Sequence, residues 1–479
     1  MHRGTIERLS FTCSLLSSVA TFDVVPAFLS VIHSPSRSLL TRYAIMIPKG
    51  YRLSFSHLVF YISTFVIATQ LWSIWGQSKH SHYLDFVRPA HFHRNWEFNA
   101  DIHANVHTLS SEQCNVAFPE LYHSLDEAVN SRQGRKVHPK DIEILSGRCM
   151  LRVMIYQGEV FVTDAGKPEQ CYVVNGNERE RILGTLAQID RAVVTASTSD
   201  TPVPDIEFAL SLDDLPRRSK DKGTFFGYTR KEGPEYRDIW MMPNYAYWSW
   251  NYTHAPSWNT IRKEIQQKET EVPWSKKDPR VVWRGKVKMA KLRQELIRVS
   301  EGQSWSDIKP VVINNASDPH NKDVMNLRDF CGYKFTVQTE GTSYSGRLKY
   351  LQLCRSALIT HPLEWQEFHT HLMRLAGPDV NYIEASENFG NLESAMEYYR
   401  DHDEDAELIA RNSYETFTRR YLTPAAVTCY WRRLFVSWKS VQGYEPLLYE
   451  PDKTGQMVMR GTPWTAFAAN WPKDPSIIP

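Results

Sequence analysis

The second half of the chain alternates between two kinds of segment, and this restricts its fold more than any other feature. Arg280-Val-Val-Trp283, Pro310-Val-Val-Ile313, Tyr333-Lys-Phe-Thr-Val-Gln338, Ala357-Leu-Ile-Thr360 and Val380-Asn-Tyr-Ile383 are short runs rich in β-branched and aromatic residues. Helical spacing of apolar residues lies between or after them, at residues 290–299, 347–354, 392–400 and 405–421. Strands alternating with helices predict a parallel sheet covered by helices. The first half is a looser version of the same pattern: an amphipathic stretch at 118–129, β-type character at 150–163, a helical pattern at 179–196 and a strand at 206–212. Two α/β halves facing a cleft are the expected architecture. A last helix, residues 424–441, is longer than a sheet repeat needs and is expected to return to the first half.

A length of 479 residues leaves about a hundred over after two such halves. The surplus lies at the N-terminus. Residues 53–78 contain no Asp, Glu, Lys or Arg, and the core of this run, residues 53–75, exceeds the ~20 apolar residues that cross a bilayer. Arg37, Arg42, Lys49 and Arg52 precede it, so the positive-inside rule predicts a cytosolic N-terminus and a lumenal body. A buried core helix, or a signal peptide starting at Met46, are the alternatives. The expected organisation is a cytosolic tail (1–52, of which 1–45 is a loosely specified extension), an anchor (53–75), a stem (76–108), two α/β domains (109–262 and 263–422), and the return helix with a tail (423–479). The mean hydropathy of −0.44 excludes many spans. With Lys plus Arg at 56 and Asp plus Glu at 54, no nucleic-acid partner is expected.

Six cysteines follow the apolar run, an even number that permits three disulfides in a lumenal body. Asn251-Tyr-Thr and Asn315-Ala-Ser are glycosylation sequons, weak singly but consistent with that compartment. No CxxC pair suggests zinc. Asp401-His-Asp403-Glu-Asp405 holds two overlapping DxD patterns, yet it precedes a helical run, where acids cap and complement the dipole.

The stretch richest in chemistry is Glu340-Gly-Thr-Ser-Tyr-Ser-Gly-Arg-Leu-Lys-Tyr350, set between a strand and a helix. Gly341 and Gly346 permit a tight turn. Thr342, Ser343 and Ser345 offer hydroxyls, and Arg347 offers a charge beside free N–H groups, a combination suited to a phosphate. It is neither a Walker loop nor GxGxxG, and an ordinary capped turn is the alternative. Arg284-Gly285-Lys286 repeats the theme at another strand end, and Arg293 lies one helical segment on. Asp214, at the end of the 206–212 strand and held out of a helix by Pro216, is a candidate base, with Asp213 as competitor and a turn-forming role as the alternative. The aromatic stretch from Trp240 to Trp250, including Pro243, Tyr247 and Trp248, suits either an acceptor platform or core.

These residues together resemble the capsule-associated-protein family of glycosyltransferases, which includes fungal capsule xylosyltransferases and the animal protein O-glucosyltransferases. The resemblance covers about residues 110–440. It rests on Trp283-Arg-Gly285, the Gly/Ser loop running into Arg347-Leu-Lys349, Glu364-Trp-Gln-Glu-Phe368, Thr428-Cys-Tyr-Trp431, Asp214-Leu-Pro216 and Pro243 through Trp248. It implies a GT-B fold and an inverting, metal-independent transfer from a UDP-sugar (xylose or glucose) to a glycan or protein hydroxyl. UDP-sugar is then a substrate, and no cofactor or metal is expected. The resemblance places the base on Asp214. It places the donor site on Arg284, Gly285, Lys286, Arg293 and the loop Thr342, Ser343, Tyr344, Ser345, Gly346 and Arg347, and the acceptor side on Pro243, Tyr247 and Trp248. It implies disulfides Cys331–Cys354 and Cys114–Cys429, leaving Cys149 with Cys171. Lys286, Glu340, Tyr344 and Gly346 depart from the animal enzymes. The C-terminal Ser-Ile-Ile-Pro479 also departs from their lumenal retention tail, so a type II Golgi (or endoplasmic reticulum) enzyme closer to the fungal branch is expected. The competing function is a non-catalytic, membrane-tethered glycan-binding or scaffold protein that keeps the fold.

Overall fold

The computed structural model describes residues 96–144, 149–165, 178–196, 202–216, 223–250, 256–287, 290–311 and 323–470. It also describes the backbone of Val24–Ala27 and Ile45–Pro48, an antiparallel pair in a separate unit of residues 1–92. Everything below concerns the unit of residues 93–479. The expected anchor (53–75), Asn251 and Asn315 lie outside the described residues. Among those described, no helix is long and apolar enough to cross a membrane.

Two sheets organise this unit. The first contains β1 (Met150–Tyr156), β2 (Glu159–Asp164), β3 (Ile206–Ser211), β4 (Phe225–Gly227) and β5 (Ile239–Met241). The second contains β6 (Asp278–Gly285), β7 (Ser306–Pro310), β8 (Tyr333–Gln338), β9 (Ala357–Thr360) and β10 (Ile383–Glu384), and β11 (Thr462–Pro463) returns to the edge of the first. The second sheet has the order β7-β6-β8-β9-β10 and is parallel throughout, as the alternation predicts.

The first sheet, in the order β11-β2-β1-β3-β4-β5, corrects the expectation of a second doubly wound half. Only β3, β4 and β5 run parallel; β1 pairs antiparallel with both β2 and β3. The reason is local. Gln157 and Gly158 both take positive φ (49° and 80°), which makes a two-residue hairpin of the stretch read as one β segment. A second correction concerns β7. The strand is Ser306–Pro310, ahead of the β-branched run expected at 310–313, and its pairing stops where Pro310 faces Gly285.

Helix α1 (Glu178–Ala196) packs on the first sheet, with Ile182, Leu186, Ile189 and Val193 at helical spacing and buried. Helices α2 (Trp258–Glu271), α3 (Lys291–Ser300) and the short α4 (Leu348–Leu351) serve the second half. Helix α5 (Pro424–Val441) returns to the first sheet: Trp438 sits edge-on to Phe226 and Trp240 at 5.0 and 5.2 Å, and its Nε1–H donates to Glu207 O. Arg432 of α5 donates to Leu109 O, His107 O and Ala192 O.

That network also draws in the end of the expected stem. His107 Nδ1 bonds Thr428 Oγ1 at 2.8 Å, and Trp96 and Phe98 pack on the core, so residues 96–108 are folded onto the body. One core cluster joins the two halves, with Tyr350, Leu353 and Phe368 meeting Tyr247, Trp258 and Trp431. Cys114–Cys429 ties the segment before β1 to α5, and Cys331–Cys354 closes the stretch that holds β8 and the Gly/Ser loop. Cys149 is disulfide-bonded, and its expected partner Cys171 lies outside the described residues.

Candidate active site at the strand ends

Parallel strands leave their C-terminal ends free for ligands, and both sheets bring chemistry there. From the first sheet, β3 leads into Asp213 and Asp214, and β5 into Asn244 and Tyr245. From the second, β6 ends in Arg284 and Gly285, and β8 leads into the Glu340–Arg347 loop.

Asp214 is held by a residue that the sequence reading did not single out. Arg181, on the first turn of α1, grips it bidentately, Nη1–Oδ1 at 2.9 Å and Nη2–Oδ2 at 3.0 Å. Burial works against the Arg181 charge, but Asp214, Tyr245 and Tyr344 together outweigh it and raise the guanidinium pKa. Arg181 also stacks over the Tyr245 ring. From the other sheet, Tyr344 of the Gly/Ser loop donates its hydroxyl to the same Oδ1 at 3.4 Å. The Asp214 side chain remains 47% exposed, open to a second reactant.

The Gly/Ser loop is shaped from within. Gly341 N–H donates to Ser343 O, and Gln338 Nε2 donates to Ser345 O. Ser343 is buried, whereas Thr342 is exposed. At the loop's base, Trp283 is fully buried and carries two guanidinium groups, Arg293 at 5.8 Å and Arg347 at 5.7 Å from the ring centroid. Among the described residues Arg293 donates to backbone oxygens alone, those of Glu340 and Lys286. No carboxylate pairs with Arg347 among the described residues. Burial, and then the neighbouring Arg293, pull the Arg347 guanidinium down to about 9. Arginine still keeps its charge at neutral pH. Two like charges thus sit together beside a Gly/Ser loop without a counter-ion among the described residues. Gly285 is required here for a steric reason: a Cβ would stand 2.4 Å from the Trp283 ring.

Arg284, expected in the donor site, has its charge matched within the fold. Its guanidinium is buried, pairs with Asp307 Oδ1 at 2.9 Å, and donates to Asp307 O, Trp283 O and Asp323 O. Strand β7 lies beside β6, so Asp307 claims this charge before a ligand can. Lys286 is exposed at the strand end.

The residues expected on the acceptor side differ in exposure. Pro243 and Tyr247 are buried, Tyr247 lying edge-on to Trp258 and Phe368 in the core that joins the halves. Trp248 alone is exposed, at 36%, beneath the Arg191 guanidinium.

Behind the cluster lie two further groups that sequence reading quoted only as parts of motifs. Lys349 and Glu367 are both buried. Burial lowers the lysine and raises the glutamate, and each opposes the shift of the other. Lys349 donates to Gly346 O, and Asn244 Nδ2 donates to Glu367. Burial also raises Glu340 to about 7, although its carboxylate accepts the Trp365 N–H at 2.8 Å.

Three other features stand apart from this cluster. Asp403, Glu404 and Asp405 stand in the first turn of the helix Asp403–Ser413, where acids complement the dipole, but no side chain caps that end: Asp403 accepts instead from Trp274 Nε1 and Lys334 Nζ. Glu269, Cys331 and Cys354 converge, but the two sulfurs are bonded to each other and offer no thiolate. A cavity of about 1000 Å3 lies among Phe98, Asp101, Glu120, Arg374 and Arg419, and none of the residues of the Asp214 cluster lines it.

Comparison with known proteins fits this geometry. The chain is 26% identical to human protein O-glucosyltransferase 1 over 264 residues, which is 50% of this chain and 64% of that protein. It is 25% identical to O-glucosyltransferase rumi of Drosophila melanogaster over 265 residues (51% and 62%) and 26% identical to protein O-glucosyltransferase 2 of Danio rerio over 271 residues (53% and 51%). The matched part is therefore less than two thirds of each relative. The family model of glycosyl transferase family 90 matches residues 115–458. That span takes in Arg181, Asp214, Arg293, the Gly/Ser loop, Arg347 and Glu367, and with most of the chain matched, this protein belongs to glycosyl transferase family 90.

Proposed function

We propose that this chain is an inverting, metal-independent glycosyltransferase of GT-B architecture that moves glucose or xylose from a UDP-sugar to a protein or glycan hydroxyl. The observation that carries the reading is the pair Arg293 and Arg347, unneutralised beside the Gly341–Ser345 turn. A nucleoside diphosphate supplies the missing negative charge, and the two guanidinium groups stabilise the charge that grows on it as the sugar departs. Positive charge held in arginines supports a transfer that needs no divalent cation. The relatives' names favour a protein acceptor and glucose.

In this reading Asp214 takes the proton of the acceptor hydroxyl as that oxygen forms its bond to the anomeric carbon. The bond from carbon to the diphosphate oxygen breaks on the opposite face, UDP leaves with the electron pair, and the configuration inverts. The disulfides Cys114–Cys429 and Cys331–Cys354, and the bonded state of Cys149, fit an oxidising compartment. Together with the uncharged run at 53–75 they support a type II anchor in the Golgi or endoplasmic reticulum membrane.

The test is UDP release from UDP-glucose and UDP-xylose by the full-length chain in EDTA, with peptide and glycan acceptors. Asp214→Asn is expected to lose turnover by at least about 100-fold while retaining UDP affinity. Loss of turnover in EDTA with rescue by manganese, or near-normal turnover of Asp214→Asn, overturns the corresponding part of the proposal.

A further inference from the structure

Asp214 is gripped from two directions, by groups that no catalytic role requires a base to have. Arg181 comes from α1 over the first sheet and takes both carboxylate oxygens. Tyr344 comes from the loop after β8 of the second sheet and takes Oδ1. Oδ1 thereby accepts two hydrogen bonds and Oδ2 one, which leaves Oδ2 with a lone pair for a reacting hydroxyl. A planar guanidinium fork fixes the plane of the carboxylate, whereas an ammonium would fix only its distance. Arg181 is itself held by its bond to Leu212 O and by the Tyr245 ring. The Tyr344 hydroxyl belongs to the same five-residue turn that Arg293 and Arg347 flank, so the turn that meets the donor also touches the base.

We infer that Arg181 and Tyr344 are positioning residues for Asp214, and that the Tyr344 hydroxyl links the state of the donor loop to the orientation of the base. Tyr344 therefore serves the base and not the donor. The inference rests on the transferase reading for its catalytic consequence, but the latch itself is made by this chain's own side chains.

The test has two arms, both on the full-length chain. In hydrogen exchange without ligand, Tyr344→Phe and Arg181→Lys are expected to speed exchange at the amides of Asp213, Asp214 and Leu215 by about 5-fold or more, with α5 unchanged. In UDP-sugar turnover, Tyr344→Phe is expected to lower kcat about 10-fold with the donor KM within about 2-fold of wild type. Arg181→Lys is expected to lower kcat further, and Arg181→Gln more than Arg181→Lys. Unchanged exchange in both variants overturns the latch. An elevated donor KM with wild-type kcat in Tyr344→Phe makes the tyrosine a donor contact and overturns the positioning role. If wild type releases no UDP from any donor, the transferase reading fails on that result alone, and the exchange arm still decides whether the latch exists.

Discussion

Replacing Arg347 by glutamine should make the protein more stable and less able to bind a diphosphate. The guanidinium lies at about 5.7 Å from the Trp283 and Phe330 ring centroids, has no carboxylate partner among the described residues, and is pulled down by burial and by Arg293. Its desolvation and its repulsion of Arg293 are costs to the folded chain that no ion pair offsets. Glutamine removes both, and relief of about 1 kcal/mol raises the melting midpoint by about 1 °C in a unit of this size. In the complex the arithmetic reverses. A hydrogen bond to a charged phosphate contributes about 1.5–3 kcal/mol, so the UDP dissociation constant should rise about 10- to 150-fold. Calorimetric titration with UDP and with uridine separates the terms: uridine affinity should stay the same, because the lost contact is to phosphate. Raising salt should weaken UDP binding to wild type more steeply than to the variant. A lowered melting midpoint with unchanged UDP affinity would refute the reasoning, since it would make Arg347 a structural residue whose charge the fold already satisfies.

Two further substitutions test the surroundings of that site. Gly285→Ala puts a Cβ within 2.4 Å of the Trp283 ring, so the indole that carries both arginines must shift. Overpacking of this kind costs about 1–3 kcal/mol, and UDP affinity measured by calorimetry should fall with stability, whereas an unmoved affinity would detach Trp283 from the donor site. Glu340→Gln tests a buried carboxyl whose pKa burial raises from 4.5 to about 7. The folded chain holds a proton there that the unfolded chain releases above about 4.5, so the stability present at low pH is lost as pH rises through about 7. The variant should match wild type in urea denaturation at pH 4.5 and exceed it by on the order of 3 kcal/mol at pH 8, at about 1.4 kcal/mol per pH unit. An equal difference at both values counts against this sign.

The parallel sheet was legible because its signal is local. Each of β6, β8 and β9 is a run of buried β-branched or aromatic residues bounded by turns, and the segments between them show helical spacing. The first sheet was less legible for the same reason. Whether 150–163 is one strand or a hairpin depends on the φ of Gln157, a residue with no strong turn preference, and Gly158 alone fits several turns. Strand β7 was misplaced because Ser306-Asp-Ile-Lys-Pro310 owes its extended form to pairing with β6 and not to its own residues. The tail strand β11 is two residues long and belongs to the first sheet only through its pairing with β2.

The site divides along a different line. Residue type identified the loop, the base candidate and the arginines, but type does not say which charge is already spent. Arg284, Arg293 and Arg347 read alike in the sequence. In the fold Arg284 is matched to Asp307, a residue 23 positions away that becomes its neighbour only when β7 lies beside β6. Among the described residues Arg293 and Arg347 meet only backbone oxygens and ring faces, so of these three they are the two whose charge is not matched by an acid. Arg181 reverses the case. On an amphipathic helix it looks like a solvated surface residue, yet its partner is Asp214, 33 positions on. Pairing across sheets decides which basic residues are free and which are committed. An anion site on an almost neutral chain is therefore marked by arginines that the fold leaves without an acid, however few they are.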